Sequence, residues 1–236
     1  MSSSGANATS VLVRTTLPRL PVTERPTIRT ERLVIRPLTQ DDLEGLYALR
    51  KEPKFMAETS LGVPDGSIAE SQAALDQLIQ PPAEHFIFGI VEAATGELIG
   101  EGGVHSIRGT GMGWPEIGYK LHPAHWGRGY ATEAMRAVLD AWWKLPREQA
   151  DVAVHPGTLP PPPQDKGKEE KEEGPEGPIV SPERVAAEVA AYNAGSHRVL
   201  EKLGFDNFGS WEEPDTQLHR LGQPLMLVHY VLSSPS

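Results

Sequence analysis

The sequence predicts a mixed α/β fold of the α+β type, a single domain in which a mostly antiparallel central sheet is flanked by helices. Segments with apolar residues at helical spacing are separated by short segments rich in aromatic and β-branched residues. A hairpin signal lies near the middle of the chain, and strands and helices do not alternate strictly. The expected order is strand, two helices, antiparallel meander, helix, strand, helix and two strands.

The first elements are a short strand and two helices. Residues 32–36 place three apolar residues between charges before Pro37, which predicts a strand. Thr39 can cap a helix whose apolar residues recur over positions 43–49 and which Pro53 would end. A second helix is predicted for residues 67–80, because two prolines follow it.

The middle of the chain predicts a meander and a long helix. Residues 86–93 and 98–104 flank the turn signal Thr95-Gly96 and form a hairpin, and residues 116–121 predict a third strand. An amphipathic helix follows, with Pro146 just beyond its end. Its apolar stripe comprises Ala131, Ala134, Met135, Val138, Leu139 and Trp142.

The last part of the chain predicts one more strand, a helix start, a helix and two closing strands. Residues 151–155 form the strand, and the order Ser181-Pro182-Glu183 is typical of a helix start. Residues 194–203 predict the last helix, which Gly204 would end. Residues 205–211 and 225–232 predict the closing strands.

Two regions lack these patterns. Residues 1–28 are expected to be a flexible tail, and residues 156–180 a disordered insertion with four consecutive prolines and a mixed charge run. Residues 29–155 and 181–233 would then form the two parts of one domain. A regulatory or partner-docking role of the insertion is a hypothesis.

Composition excludes several classes of function. With 32 acidic and 22 basic residues the net charge is -10, so nucleic acid is not an expected partner. The chain has no cysteine, which excludes disulfides, thiolate nucleophiles and cysteine zinc sites. Because no apolar run approaches the roughly 20 residues that span a bilayer, we expect a soluble protein without a membrane partner. The lack of cysteine fits a reducing compartment, so the expected location is the cytoplasm. The Ser- and Thr-rich N-terminus leaves an organellar location as the weaker alternative.

A glycine turn, residues 126–131, is the strongest candidate for a ligand site. It lies between a predicted strand and a predicted helix, where free N–H groups and the helix dipole can hold a phosphate that small residues allow to approach. Arg128 could add a charge-assisted hydrogen bond. A plain tight turn is the alternative for Gly127 and Gly129 taken alone. A dinucleotide-binding turn is a poor fit, because the fingerprint is incomplete and follows a meander.

Two motifs in order resemble the GNAT superfamily of N-acetyltransferases, and most closely its branch of ribosomal-protein N-terminal acetyltransferases. They are EIGYKLHP (116–123) followed by WGRGYATE (126–133), and NAGS (193–196) followed by VLEKLGF (199–205). The resemblance covers residues 30–232 without the insertion. It implies acetyl-CoA as donor, a pyrophosphate on the turn amides and a pantetheine arm between strands 116–121 and 151–155. The implied cofactor-binding residues are Leu121, Trp126, Gly127, Arg128, Gly129, Tyr130, Ala131, Thr132 and Asn193.

Acetyl transfer needs a base, a donor to the oxyanion and a proton donor for the thiolate, and the sequence offers a candidate for each. Glu116 is the candidate base, acting through a water, with Glu101 and His105 as weaker candidates. A backbone N–H near Leu121 or His122 would stabilise the oxyanion. Ser196 is the nearest candidate to protonate the thiolate, because Leu200 occupies the position seven after Asn193 where many members have tyrosine.

Each of these residues also has a structural interpretation. Glu116 can be an ordinary strand-end carboxylate, Ser196 a polar residue in a first helical turn, and Asn193 a helix cap. We expect no metal, because His122 and His125 have no third ligand near them in sequence.

The sequence therefore predicts an acyltransferase that moves an acetyl group from acetyl-CoA to a primary amine by direct attack. The amine would be a protein N-terminus or a small amine. The alternative is a non-catalytic CoA-binding or interaction module of the same fold.

Overall fold

The computed structural model describes residues 9–22, 25–79, 85–160 and 177–235. The strands in these ranges are β1 (Val11–Pro18), β2 (Ile28–Arg29), β3 (Leu33–Arg36), β4 (Phe86–Glu92), β5 (Leu98–Ser106), β6 (Glu116–Leu121), β7 (Arg147–Val154), β8 (Ile179–Val180), β9 (Arg184–Ala190), β10 (Asp206–Pro214) and β11 (Pro224–Ser233). The α-helices are α1 (Leu43–Arg50), α2 (Pro53–Met56), α3 (Ile68–Ile79), α4 (Tyr130–Trp142) and α5 (Ala194–Leu203).

Eight of the strands form one sheet in the order β10-β11-β9-β6-β5-β4-β3-β2. Neighbours in this sheet are antiparallel except β6 and β9, which are parallel. The predicted fold class, a mixed and mostly antiparallel sheet flanked by helices, is confirmed. A separate small sheet has the order β7-β1-β8.

The large sheet buries an apolar core on each face. On one face Met135 of α4 and Leu200 of α5 belong to the same buried cluster as Ile117 of β6. On the other face Leu46 of α1 and Leu75 of α3 pack in a second cluster. The side chains of each strand alternate between these faces, which places successive residues of β6 in different environments. Among the described helices, none combines the length and apolar character needed to cross a membrane.

The flexible tail predicted for residues 1–28 is partly wrong. Residues 11–18 form β1, which pairs antiparallel with β7 along its whole length. Val13 is fully buried, and Leu12 on the other side is half exposed. The partner residues in β7 lie 129 to 143 positions further along the chain, so no local signal indicated this pairing. Residues 1–8 and 23–24 lie outside the described residues.

The helix predicted to start at Ser181-Pro182-Glu183 is also wrong, because these residues lead into strand β9. The Ser181 N–H donates to the Arg14 carbonyl at 3.0 Å. The Glu183 carboxylate accepts a hydrogen bond from Arg147 Nε at 2.7 Å instead of facing a helix start. Residues 184–190 fill the position between β6 and β11, so sheet pairing overrides the helix propensity of their alanines.

The strand predicted at residues 151–155 exists as part of β7, but its predicted position beside β6 is wrong. It belongs to the small sheet, and the parallel neighbour of β6 is β9. The ends of the predicted insertion are ordered, because residues 156–158 form a 3-10 turn and Ile179 and Val180 pair with β1. The proline run from residue 161 and the charge run lie outside the described residues.

Candidate active site

Strands β6 and β9 separate near the centre of the large sheet and leave a cleft. Both strands are fully described, and their register consists of one pair, Glu116 opposite Ala186. The Ala186 N–H donates to the Pro115 carbonyl at 2.7 Å. Beyond that point the backbone groups of β6 that face β9 are left for another partner. An extended ligand can therefore lie between the two strands.

The two amides considered for the oxyanion differ in direction. The His122 N–H donates to the Ile99 carbonyl of β5 at 2.8 Å. Because successive amides of a strand point to opposite sides, the Leu121 N–H is directed toward the cleft. The Leu121 carbonyl accepts a hydrogen bond from Trp126 Nε1 at 2.7 Å. The geometry thus favours Leu121 over His122 as a donor to a ligand in the cleft.

The glycine turn closes one end of this cleft and begins α4. Gly127 and Gly129 have φ of 72° and 79°, in the left-handed region that favours glycine. A Cβ on Gly127 would meet nothing within 4 Å, so the backbone conformation requires glycine there and packing does not. The Glu133 N–H donates to the Gly129 carbonyl at 3.0 Å. The amides before Glu133 therefore begin the helix without intrahelical acceptors, as an anion site requires.

Arg32 holds this turn from the side. Its guanidinium forms an ion pair with Glu133 at 2.6 Å and donates to the Arg128 carbonyl at 2.9 Å. It also lies over the Tyr130 ring, 4.6 Å from the centroid. The Tyr130 hydroxyl donates to Glu92 Oε1 at 2.8 Å. These contacts fix the turn before any ligand binds, while the Arg128 side chain stays exposed.

The start of α5 borders the cleft from the other strand. Asn193 caps this helix, because its Oδ1 accepts a hydrogen bond from the Ser196 N–H at 3.1 Å. The Ser196 carbonyl accepts a hydrogen bond from the hydroxyl of Tyr119, a β6 residue, at 3.3 Å. Burial raises the pKa of Tyr119 to about 12. Leu200 is fully buried in the core.

The cleft between these two parallel strands is closed by a glycine turn whose first helix amides are free. Residues 32–206 match the family model described as "Acetyltransferase (GNAT) domain". The chain belongs to the GNAT acetyltransferase family. It is an acyltransferase that uses acetyl-CoA as its donor.

Individual relatives agree with this assignment. The GNAT chain is 30% identical over 138 residues to the uncharacterised N-acetyltransferase p20 of Bacillus licheniformis, covering 57% of this chain and 76% of that protein. The ribosomal-protein-S5-alanine acetyltransferase of Vibrio fischeri superposes with a TM-score of 0.57 at 15% identity, covering 89% of this chain and 98% of that one. The microcin C7 self-immunity acetyltransferase MccE, solved with acetyl-CoA and AMP, has a TM-score of 0.60 at 15% identity, covering 91% and 99%. At these identities the two structures show a shared fold.

Glu116 of the GNAT chain lies at the point where the strands separate, on the face of the sheet opposite α4 and α5. Its carboxylate accepts a hydrogen bond from the Thr110 hydroxyl and lies 3.4 Å from His105 Nε2. Burial by itself would raise the pKa of Glu116. The hydrogen bond and charge of His105 and the hydrogen bond from Thr110 outweigh that effect, so the pKa lies below its ordinary value. Glu116 is therefore ionised at neutral pH.

A second titratable group lies on the same face and was not predicted from the sequence. Glu188 of β9 is two residues beyond Ala186, and its Oε1 lies 3.8 Å from Nδ1 of His229 on β11. His229 is fully buried, and its Nε2 lies 3.8 Å from Glu213 Oε1. The Trp211 ring stacks on His229 with centroids 3.7 Å apart.

The other base candidate, Glu101, is already paired. It is buried, and its Oε1 lies 3.1 Å from Lys120 Nζ, which also lies over the Phe55 ring. His105 contacts Glu116 and so belongs to the same cluster. Throughout the described part of the chain, no group of three or more His, Asp or Glu residues is placed to hold a metal ion.

Sequence reasoning missed Arg32, Tyr119, Glu188 and His229. Glu188 and His229 carried a weak signal, because each is a titratable residue inside a run of apolar strand residues. Arg32 and Tyr119 carried none, since their roles depend on contacts to Glu133 and Ser196 about 100 and 77 positions away.

Proposed function

We propose that this chain transfers the acetyl group of acetyl-CoA to a primary amine by direct attack, without an acyl-enzyme. The observation that carries the proposal is the asymmetry of the cleft. The anion-binding turn and the start of α5 lie toward one face of the sheet, and the carboxyl groups of Glu116 and Glu188 lie on the other. A thioester in the cleft would therefore meet a cationic amine from the acidic face.

On the donor side, the pyrophosphate binds the amides of residues 127–132, with Arg128 supplying a charge. This placement follows from free helix amides and from glycines that allow close approach. The pantetheine arm lies between β6 and β9, where the Leu121 N–H can bind it or the thioester oxygen. Trp126, Tyr130, Ala131 and Thr132 border the turn, and Asn193 borders the arm from α5.

On the acceptor side, two loops meet above the acidic face. Gln217 in the loop between β10 and β11 donates to the Ala57 carbonyl at 2.6 Å. The Leu218 N–H donates to the Ser60 carbonyl at 3.2 Å, in the segment between α2 and α3. We place acceptor specificity in these two loops, because loops carry most of the variation among related enzymes.

The proposed acceptor is a protein N-terminus or a small amine. An α-amino group with a pKa of about 8 is partly neutral at pH 7, so it needs only a weak base, whereas a lysine amine at about 10.4 needs a stronger one. A protein without cysteine suits the reducing cytoplasm, which is the location that we propose.

The experiment is to follow CoA release from acetyl-CoA with a panel of N-terminal peptides and polyamines. We expect turnover with at least one class of amine. Acetyl-CoA binding without turnover on any amine would instead support the non-catalytic alternative.

For the departing thiolate we propose the Ser196 hydroxyl as proton donor. Ser196→Ala is then expected to lower kcat by up to about 100-fold, with acetyl-CoA affinity unchanged. Tyr119→Phe is the matched variant, because the Tyr119 hydroxyl bonds to the Ser196 carbonyl. Steady-state kinetics on both variants would show which of the two hydroxyl groups donates the proton to the thiolate. A full rate for Ser196→Ala with a slow Tyr119→Phe would assign the proton to the phenol.

A further inference from the structure

Glu188 lies where the two strands begin to separate. Glu116 pairs with Ala186, and side chains two residues apart on a strand share a face, so Glu188 lies on the face of Glu116. The corresponding position on β6 is Gly118, which has no side chain. A Cβ on Gly118 would come within 3.0 Å of His105 Nδ1. The His105 ring therefore occupies the space that a side chain at position 118 would need, and Glu116, Glu188 and His105 stand together on this face.

The buried His229 ring lies behind Glu188. His229 is 0% exposed, and neither of its ring nitrogens has a hydrogen-bond partner among the described residues. Its distances of 3.8 Å to Glu188 and Glu213 are too long for hydrogen bonds. The Glu188 side chain stays 22% exposed, so a ligand on this face can reach its carboxylate but not the His229 ring behind it.

We propose that Glu188 accepts the proton of the acceptor amine and that the Glu116 carboxylate holds the amine in place. This inference rests on the proposed transfer to a primary amine. The ammonium loses one proton to the Glu188 carboxylate, and its nitrogen lone pair forms a C–N bond to the thioester carbon. The C–S bond breaks, and sulfur leaves with the electron pair of that bond and takes up the proton of the proposed donor, Ser196. Glu188 releases its first proton to solvent and then accepts the second proton from nitrogen. Of the two protons that nitrogen loses, one replaces the proton given to sulfur and one remains in solvent.

The two carboxyl groups are suited to different roles. Glu116 is already bonded to Thr110 and lies against His105, and its lowered pKa makes it a permanent negative charge but a weak base. Burial and the charges of Glu116 and Glu213 raise the pKa of Glu188 to about 8. A base whose pKa is close to that of the ammonium transfers the proton with little energetic cost.

The groups that face Glu188 come from each strand around it. They are Glu116 on β6, His229 on β11 and Glu213 on β10. Burial lowers the pKa of His229 to about 4, so this imidazole is neutral wherever Glu188 titrates. Glu188 therefore titrates beside two carboxylates and a neutral imidazole, with His105 on the far side of Glu116, 3.4 Å from its carboxylate.

The test compares Glu188→Gln with Glu212→Gln, an exposed glutamate on β10, which β11 separates from β9. With the best amine of the panel at saturation, wild-type kcat is expected to rise with pH through about 8. Glu188→Gln is expected to lose this rise and about 100-fold of kcat at pH 8, with an unchanged acetyl-CoA Kd. Glu212→Gln should match the wild type. Formate should partly restore Glu188→Ala, because a small carboxylate can replace a missing base.

A second test measures thermal stability against pH and needs no amine substrate. A buried glutamate whose folded pKa is raised stabilises the fold while it is protonated, and this contribution is lost as pH rises through about 8. Relative to the wild type, Glu188→Gln should therefore gain thermal stability between pH 5 and pH 9. A parallel pH dependence of both melting temperatures would overturn the assigned titration.

The results of these two tests distinguish a failure of the role of Glu188 from a failure of amine transfer itself. Wild-type turnover with an unchanged pH profile in Glu188→Gln would overturn the role of Glu188 and leave amine transfer intact. If no amine is turned over while the stability difference is present, the transfer itself is wrong and Glu188 is not its base.

Discussion

Gly129→Asp is expected to lower the affinity for acetyl-CoA by at least about 100-fold while the domain still folds. The added carboxylate would stand beside the amides that we assign to the pyrophosphate, where it repels the phosphates and blocks their approach. Losing charge-assisted hydrogen bonds of this kind costs about 1.5–3 kcal/mol each. Calorimetric titration with acetyl-CoA measures the effect.

Folding should survive because the substituted position tolerates the new side chain. Aspartate is among the few non-glycine residues that adopt positive φ, and a Cβ at Gly129 would meet only Arg32 Nη2, at 3.5 Å. Gly222→Asp is the matched control, since Gly222 has φ of 76° and open space around it, in the loop between β10 and β11. It introduces the same strain and charge away from the turn. Normal acetyl-CoA binding by Gly129→Asp would show that the pyrophosphate binds elsewhere.

Glu116→Gln is expected to lower kcat/KM for the amine by about 100-fold, with acetyl-CoA affinity preserved. Glutamine has nearly the same shape and can still accept the Thr110 hydrogen bond, but it removes the negative charge at the apex of the cleft. If Glu116 is itself the base, the loss lies in kcat. If it holds the ammonium, the loss lies mainly in KM.

The pH profile of Glu116→Gln gives a sharper result. The charge of Glu116 helps to raise the pKa of Glu188, so removing it should move the rise in kcat to lower pH. Kinetics from pH 6 to pH 10 on wild type and variant would show the shift. A full rate across this range would exclude any role for Glu116 in the reaction.

The parts of the site that were predictable from sequence depend on local backbone chemistry. The glycine turn, the start of α4 beside it and the Gly204 end of α5 are each encoded within a few residues. Glycine conformations, capping side chains and helical spacing act over one or two turns, so a short window of sequence contains the whole cause. The two motifs that resemble the family lie in these windows, and the family assignment agrees with them.

The acceptor side of the cleft was not predictable in this way. The sequence placed a helix start at Ser181 and the wrong strand beside β6, because the preference of residues 184–190 for β9 comes from the strands on either side. The placement of Glu116 and Glu188 on one face requires two segments 72 positions apart to meet in one register.

Local sequence thus determined the fold class, the conformation of the glycine turn and the helix ends, since their energies arise between near neighbours. Tertiary packing determined that β1 joins β7, that β9 borders the cleft, and that Glu188 lies against His229. Strand partners and the burial of charged groups depend on which distant segments come together, and the pKa of Glu188 arises only from that burial and from the carboxylates around it.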